Sequence, residues 1–383
     1  VKAVRAEASV VIIGGGIIGT AIAFYLCKKG MKDVVLVEKS YLSSGSTGRC
    51  GGGIRQQWSE RMNVRLAMRS VKLFERFEEE IGMDIEYYQG GYLLLAYTDE
   101  EVELFHKNVA MQQEEGLDVR LLSKEETKEK FPFMNLEGLK LATFCPTDGH
   151  ANPHLATMAY AKAAEKMGAM ILTHTEVTDI DVQSGQIKGV LTTKGYIKTS
   201  VVVNAAGGFS REVGLMAGVE LPTESYRHQI FVTEPLEHIL DPLVISFVNN
   251  FYIRQTKSGN FIMGQGDKDE PPSHKHDPSW KFLTEMTEKM PHFFPFLKEV
   301  RVLRHWAGLY NMSPDAQPII DKSDKLSDFY FAIGFSGHGF MLAPAVGEAM
   351  ADWIIYGSPE EVDISNLKME RFSKGVSREK NVV

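Results

Sequence analysis

Apolar and polar residues along this chain follow two periods. Short apolar runs at 10–13, 34–37 and 201–204 have the composition of strands buried on both faces. Between the first two, residues 17–29 read as a helix. Residues 59–81 place Met62, Leu66, Leu73, Phe77 and Ile81 on one stripe, which predicts a single helix with those side chains in the core. Residues 87–97 read as strand, 100–115 as helix and 124–130 as a short charged helix. Short strands are expected at 170–172, 177–182 and 187–192. The character changes over 221–303, where 226–233, 251–255 and 260–264 read as an antiparallel sheet and 279–290 as a helix. A strand at 329–333 and a small-residue helix at 343–356 follow. The segment 271–276, Pro-Pro-Ser-His-Lys-His, reads as an exposed loop.

The first strand, helix and second strand carry the most specific chemistry. Gly14, Gly16 and Gly19 have the G-x-G-x-x-G spacing. The first glycine permits a tight turn, the second lets a pyrophosphate reach the backbone, and the third lets helix and strand pack closely. The helix then points its positive end at the phosphates. Glu38 ends the second strand, 19 residues after Gly19 and near the ~20 expected of an acid that binds a ribose diol. Its charge argues against a 2′-phosphate. The motif alone does not separate NAD from FAD. Two further segments of small residues are placed to meet the same cofactor: the Ser/Gly-rich loop 43–53, directly after the ribose-binding strand, and Ala205-Ala206-Gly207-Gly208 at the end of another strand.

Composition narrows the class. With 383 residues, 44% hydrophobic and 24% charged, the chain has room for about two or three ordinary globular domains. A net charge of −8 and no lysine/arginine block give no footprint for nucleic acid. Cys27, Cys50 and Cys145 are too few and too scattered for a disulfide framework or a metal site, and fit a reducing compartment. The expected location is therefore the cytoplasm, with peripheral membrane association compatible with it. No signal peptide is read in the N-terminal residues, and no run of ~20 apolar residues predicts a membrane span. The expected fold is α/β (α+β overall). A discontinuous Rossmann-like nucleotide-binding domain (1–84, 145–220 and 304–383) receives a mostly antiparallel substrate domain (85–144 and 221–303).

The glycine triplet with Glu38, Asp148-Gly149-His150 to Pro153, the Ala-Ala-Gly-Gly turn, Pro314-Asp315 and Gly337-His338-Gly339-Phe340 together resemble the amine-oxidising flavoproteins. These include D-amino-acid oxidase, glycine oxidase and sarcosine oxidase. Within them the chain is most similar to the β subunit of heteromeric sarcosine oxidase and to dye-linked L-proline dehydrogenase. The resemblance implies bound FAD, expected to be non-covalent because Gly308 replaces the attaching cysteine of monomeric sarcosine oxidases, with a substrate sheet covering one flavin face. Its expected cofactor contacts are Gly14, Gly16, Gly19, Glu38, Lys39, Ser46, Thr47, Arg49, Gly52, Val177, Ala206, Gly207, Gly337, His338, Gly339, Phe340 and Met341. Backbone N–H groups at 337–340 would meet the electron-rich edge of a reduced flavin. The His338 side chain reads either as catalytic or as a buried histidine satisfied by backbone. Arg55 matches a carboxylate-binding arginine, a role its guanidinium fork suits; the competing reading is a surface arginine. Tyr252 and Tyr310 match substrate-side positions, and each also reads as a packed aromatic.

Departures from the pattern shape the functional expectation. Gly308 stands where monomeric sarcosine oxidases attach FAD to cysteine, and Met341 where they carry a carboxylate-binding lysine. Ile262 falls near a lysine that promotes oxygen reactivity. Pro153 occupies the position of the histidine that attaches FMN in heteromeric sarcosine oxidases. The expected activity is oxidation of a small secondary or α-amino acid of the L-proline or sarcosine class by hydride transfer to flavin N5, with electrons passed to a partner or acceptor rather than oxygen. The expected partner is a second flavin- or electron-transfer subunit, with any FMN held non-covalently at the subunit interface. Alternatives are a glycine or D-amino-acid oxidase using oxygen, and a non-catalytic flavin-fold binding subunit. No metal site is expected.

Overall fold

A computed structural model describes residues 7–375 and 377–382. Residues 1–6, 376 and 383, which the expected nucleotide-binding segments include, lie outside the described residues. The apolar runs form the centre of a six-stranded sheet in the order Ile319–Lys322, Phe329–Ile333, Val202–Asn204, Val10–Ile13, Val34–Val37 and Met170–Leu172. Its strands are parallel except for the first pair. Alternate residues point to opposite faces, and both faces are covered. Val10, Ile12, Val34 and Leu36 pack against the helices Ile17–Lys28, Pro153–Lys166 and Gly339–Tyr356. Val11, Ile13, Val35 and Val37 pack against a three-stranded antiparallel sheet built from Val177–Gln183, Gln186–Thr192 and Gly195–Lys198. This double coverage is why these runs contain no exposed polar positions.

A second sheet has eight strands, in the order Val302–Met312, Glu224–Pro235, Asn260–Gln265, Phe251–Gln255, Leu243–Ser246, Tyr92–Ala96, Leu141–Cys145 and Arg120–Leu122. All its pairs are antiparallel except Leu243–Ser246 with Tyr92–Ala96. Leu93, Leu95, Val244, Ile253 and Phe261 on one face bury the apolar stripe of helix Trp280–Phe293, which contributes Phe282, Met286 and Met290. The opposite face, bearing Tyr92, Ile245 and Tyr252, looks across to the six-stranded sheet and lines the main cavity.

The expected α/β class with two separate sheets is observed, with local corrections. The single helix expected over 59–81 is two, Arg61–Glu75 and Phe77–Ile81, broken at Arg76 where ψ is 5°. The strand expected from 87 begins only at Tyr92, because Gly91 takes a φ of +87°. The alanine-rich helix Pro153–Lys166, capped by the Asn152 side chain, was not anticipated. Nor were the strands Leu243–Ser246 and Val302–Met312. The latter pairs along Glu224–Pro235 from Met312 opposite Glu224 to Val302 opposite Thr233. The expected boundary between 303 and 304 therefore falls inside a strand of the eight-stranded sheet. No helix among the described residues is long and apolar enough to cross a membrane.

Asp315 of the Pro-Asp pair is buried and anchors the last part of the chain. Arg371 donates from Nε to Asp315 Oδ2 at 2.7 Å and from Nη2 to Oδ1 at 2.9 Å, a bidentate pair with both side chains buried. Removing the cation leaves a buried carboxylate without its counter-charge. Arg371→Ala should lower unfolding stability by about 3–5 kcal/mol, measured by urea titration of the holoprotein. A loss below about 1 kcal/mol would show that Asp315 recruits water or another donor instead.

Candidate functional site

The strand Val10–Ile13 leads into the glycine turn, and the turn has no room for side chains. Gly14 has a φ of +119°, and a Cβ there would collide with the Ala205 carbonyl. A Cβ on Gly19 would collide with the Gly14 carbonyl. Glu38 fixes this turn from the neighbouring strand: its Oε2 accepts from Gly15 N and its Oε1 from Ser40 N, both at 2.7 Å. Oε2 keeps a second acceptor direction for a ligand hydroxyl, whereas Oε1 also accepts from Ser44 Oγ at 3.4 Å.

The loop after Glu38 joins the two sheets. Thr47 Oγ1 accepts from Ile17 N at 3.1 Å, at the start of the first helix. On the other side, Ser46 Oγ donates to the Leu309 carbonyl at 2.6 Å and Arg49 Nη1 to the Ala307 carbonyl at 3.1 Å. Trp306 Nε1 returns a bond to the Arg49 carbonyl at 3.1 Å. The Lys39 ammonium sits 3.1 Å from the Phe209 ring centroid.

These elements enclose one long cavity. Of the expected cofactor contacts it is lined by Gly14, Gly16, Glu38, Lys39, Ser46, Thr47, Arg49, Gly52, Ala206, Gly207 and the whole of 337–341. Arg55, Tyr252, Tyr310 and His338 line it as well. Two expected contacts do not. Gly19 lies beneath the turn and serves helix–strand packing. Val177 is packed in the core beneath the three-stranded sheet. Met341 faces the cavity as an apolar wall where monomeric sarcosine oxidases, by resemblance, have a cation. Ile262 and Pro153 line a second, adjoining chamber of about 660 Å³ with Arg254, Lys257, Arg304 and Trp306. The apolar character of Ile262 therefore bears on that chamber rather than on the main cavity.

Arg55 is 3% exposed, so the surface reading of it is wrong. Its guanidinium lies 4.0 Å from the Trp58 ring centroid. Nη2 donates to the Asn381 carbonyl at 2.6 Å, whereas Nη1 is buried without a partner among the described residues. An unpaired buried guanidinium nitrogen is costly, and a carboxylate in the cavity would relieve that cost. Sequence reasoning missed His228, which forms the centre of an aromatic stack. Its ring is 4.1 Å from Tyr310 at 3° and 5.7 Å from Tyr252 at 9°. Its Nε2 is buried and unpartnered. Only strand pairing reveals it, because His228 faces Gly308 across the sheet while Tyr310 is its diagonal neighbour. His276, inside the segment expected to be an exposed loop, also reaches the cavity.

Burial sets the charge states. It holds Tyr252 and Tyr310 well above the usual phenol range, so both stay hydrogen-bond donors at neutral pH. Burial, and then the Arg55 charge, hold His338 well below the usual imidazole range. The ring packs edge-on against Trp58 at 4.2 Å. Gly337 has a φ of +92° and lies against the Tyr310 ring. It leads into helix Gly339–Tyr356, whose N-terminus has no side-chain cap and leaves backbone donors at the cavity.

The family described as FAD dependent oxidoreductase matches residues 9–353. The chain belongs to this FAD-dependent oxidoreductase family. Human mitochondrial dimethylglycine dehydrogenase is 32% identical over 392 residues, covering 96% of this chain and 45% of that protein. Sarcosine oxidase subunit beta from Rhizobium meliloti (strain 1021) is 30% identical, covering 96% of this chain and 88% of its own length. Among solved structures, L-proline dehydrogenase from P. horikoshii is 41% identical with a TM-score of 0.93, covering 98% of this chain and all (100%) of that one. The chain spans about half the length of the mammalian dimethylglycine dehydrogenases it matches.

The cavity fits the family's cofactor. Bare backbone at Gly14–Gly16 and Ala205–Gly208 would admit a diphosphate, with Glu38 beside it for a ribose, and the uncapped helix at 339 suits an electron-rich ring edge. Cys50 is the cysteine that reaches this cavity, and burial pushes its thiol up to about 11. That favours the unreactive protonated form. With glycine at 308, the lining gives no activated thiol for covalent attachment.

The buried histidines make stability acid-sensitive. Burial and then the Arg254 charge hold His150 down to about 2, and burial holds His228 down to about 3. In the unfolded chain both titrate near ~6.5. As pH falls below that value the unfolded state takes up protons that the fold refuses, so stability present above ~6.5 is lost towards ~3. Asp148, raised by burial to about 6, and Asp321, also raised by burial, oppose this in the carboxylate range, but His338 and His276 are held down alongside His150 and His228. The melting temperature should be flat from pH 7 to 8 and fall on acidification. The fall should be shallower in His228→Phe; an identical slope in that variant would show that His228 is charged in the fold.

Proposed function

We propose that this chain oxidises a small secondary or α-amino acid, of the L-proline or sarcosine class, and passes the electrons to a partner or acceptor other than oxygen. The observation that carries the reading is Arg55: a buried guanidinium on the cavity wall with one nitrogen fixed and the other without a partner. Arg55 Nη1 binds the substrate carboxylate. The Tyr252 and Tyr310 hydroxyls, kept protonated by burial, donate hydrogen bonds on the same side. The His228 ring between them holds the two tyrosines in place. These contacts orient the α-carbon. FAD, when bound without a covalent link, supplies the acceptor for the hydride equivalent. No protein base is assigned, because a neutral amine needs none, and the imine product is hydrolysed by water.

The relatives' printed names support the substrate class: dimethylglycine, sarcosine and L-proline are all secondary or tertiary amino acids. The lining supports an acceptor other than oxygen. The cations of the main cavity are Lys39, Arg49 and Arg55, apart from its histidines. Lys39 stacks on Phe209, Arg49 is bonded to carbonyls, and Arg55 is assigned to substrate. None is left to stabilise developing superoxide. The second chamber, with Arg254, Lys257 and Arg304 beside Trp306, is the proposed place of a non-covalent FMN shared with a partner subunit. Its cations suit a phosphate and its indole a flat ring.

Anaerobic titration of the FAD-loaded protein with L-proline, sarcosine, glycine and D-alanine should bleach the flavin with L-proline or sarcosine at the lowest concentration. Reoxidation by air should be slow compared with an artificial dye. In Arg55→Ala the half-saturating substrate concentration should rise roughly a hundredfold, as expected for losing a buried charged hydrogen bond, with flavin content unchanged. Stoichiometric peroxide at the rate of turnover would instead identify an oxidase, and no bleaching by any amino acid would leave a non-catalytic flavin-fold subunit.

A further inference from the structure

Residues 377–382 bind the segment that carries Arg55. Glu379 is 2% exposed, and among the described residues no cation bonds its carboxylate; it is satisfied by donors from residues 59–63 and its own segment. Oε1 accepts from Ser59 N at 2.9 Å, Ser59 Oγ at 2.5 Å and Asn381 N at 3.0 Å. Oε2 accepts from Glu60 N at 3.2 Å and Asn63 Nδ2 at 2.9 Å. This places the carboxylate at the N-terminus of helix Arg61–Glu75, which has no cap from its own side chains and a positive end that favours an anion. Asn381 Nδ2 donates to the Gln57 carbonyl at 3.1 Å, and the Asn381 carbonyl accepts from Arg55 Nη2 at 2.6 Å.

The consequence lies in the geometry of Arg55. Its guanidinium is pinned on one nitrogen by Asn381 and on its face by Trp58. Trp58 is itself tied to the Arg55 carbonyl by Nε1 at 3.1 Å. A rigid planar fork held at one tine presents the other in a fixed direction. We infer that residues 377–382 are a strap that sets the angle of the substrate-binding guanidinium, with Glu379 as the positioning residue. The inference rests on the proposed role of Arg55. A substrate carboxylate thus meets a donor that has already lost its rotamer freedom.

The test is a double-mutant cycle in the FAD-loaded protein. Its probe is tetrahydrofuran-2-carboxylate, a ring carboxylate with no amine to oxidise, followed through the flavin absorbance. Glu379→Ala should weaken probe binding about tenfold, raise KM more than it lowers kcat, and leave flavin content intact. In an Arg55→Ala background the same change should weaken binding less than twofold, because the strap then has nothing to aim. Asn381→Ala, which loses only the bond to Gln57, should give a smaller loss that likewise vanishes without Arg55, and it decides the matter if Glu379→Ala does not fold. Strap variants that leave probe affinity unchanged, or that add their full loss to that of Arg55→Ala, overturn the strap alone. Normal probe affinity in Arg55→Ala overturns both the strap and the role of Arg55.

Discussion

One loop holds the two sheets at a fixed separation, and everything in the cavity depends on it. Residues 43–55 are bonded to the glycine turn through Thr47 and to the eight-stranded sheet through Ser46, Arg49 and Trp306. Arg254, from the middle of that sheet, donates to the Gly51 carbonyl and approaches His150. A loop rich in serine and glycine is poor material for a core, but it carries many backbone and hydroxyl groups able to bond in both directions. It therefore joins two layers that share little apolar contact, and its small side chains leave space between them.

The walls of that space carry polar groups left open toward it. Arg55 Nη1 and His228 Nε2 are buried without partners among the described residues. Such groups cost stability, and they persist because the surrounding packing leaves them no other conformation: stacked rings hold His228, and Trp58 with Asn381 holds Arg55. Under the proposed function that cost goes into preorganisation, since a bound carboxylate would not have to order the groups that receive it. The same burial keeps the tyrosines protonated and the histidines neutral. Arg55 thereby stands as the positive charge beside the neutral Tyr252, Tyr310 and His228 on the cavity wall.

Much of the nucleotide-binding half was legible in the chain. The apolar runs, the glycine spacing and Glu38 each impose a local constraint, and the structure meets each within a residue or two. Elements whose signal is tertiary were less visible. Helix Pro153–Lys166 is alanine-rich, and its buried side is formed largely by alanines while Met158 lies on the exposed side, so hydrophobicity marks its period weakly. Strand Leu243–Ser246 is four buried residues in a longer irregular stretch. Val302–Met312 begins with exposed Arg304 and Leu303, which hides its alternation until the pairing with Glu224–Pro235 is seen.

The division follows from the range of the forces. Sequence alone determined what neighbours along the chain decide: a strand buried on both faces, a turn only glycine can make, a helix end facing phosphates, and, through resemblance, a flavin site. Tertiary structure decided what depends on residues hundreds of positions apart. It buried Arg55 and paired it with Asn381, slid His228 between two tyrosines, withdrew Val177 from the cavity and moved Ile262 to the neighbouring chamber. No local pattern encodes those placements, because each is fixed by the register of one strand on another and by the return of the chain across its own surface.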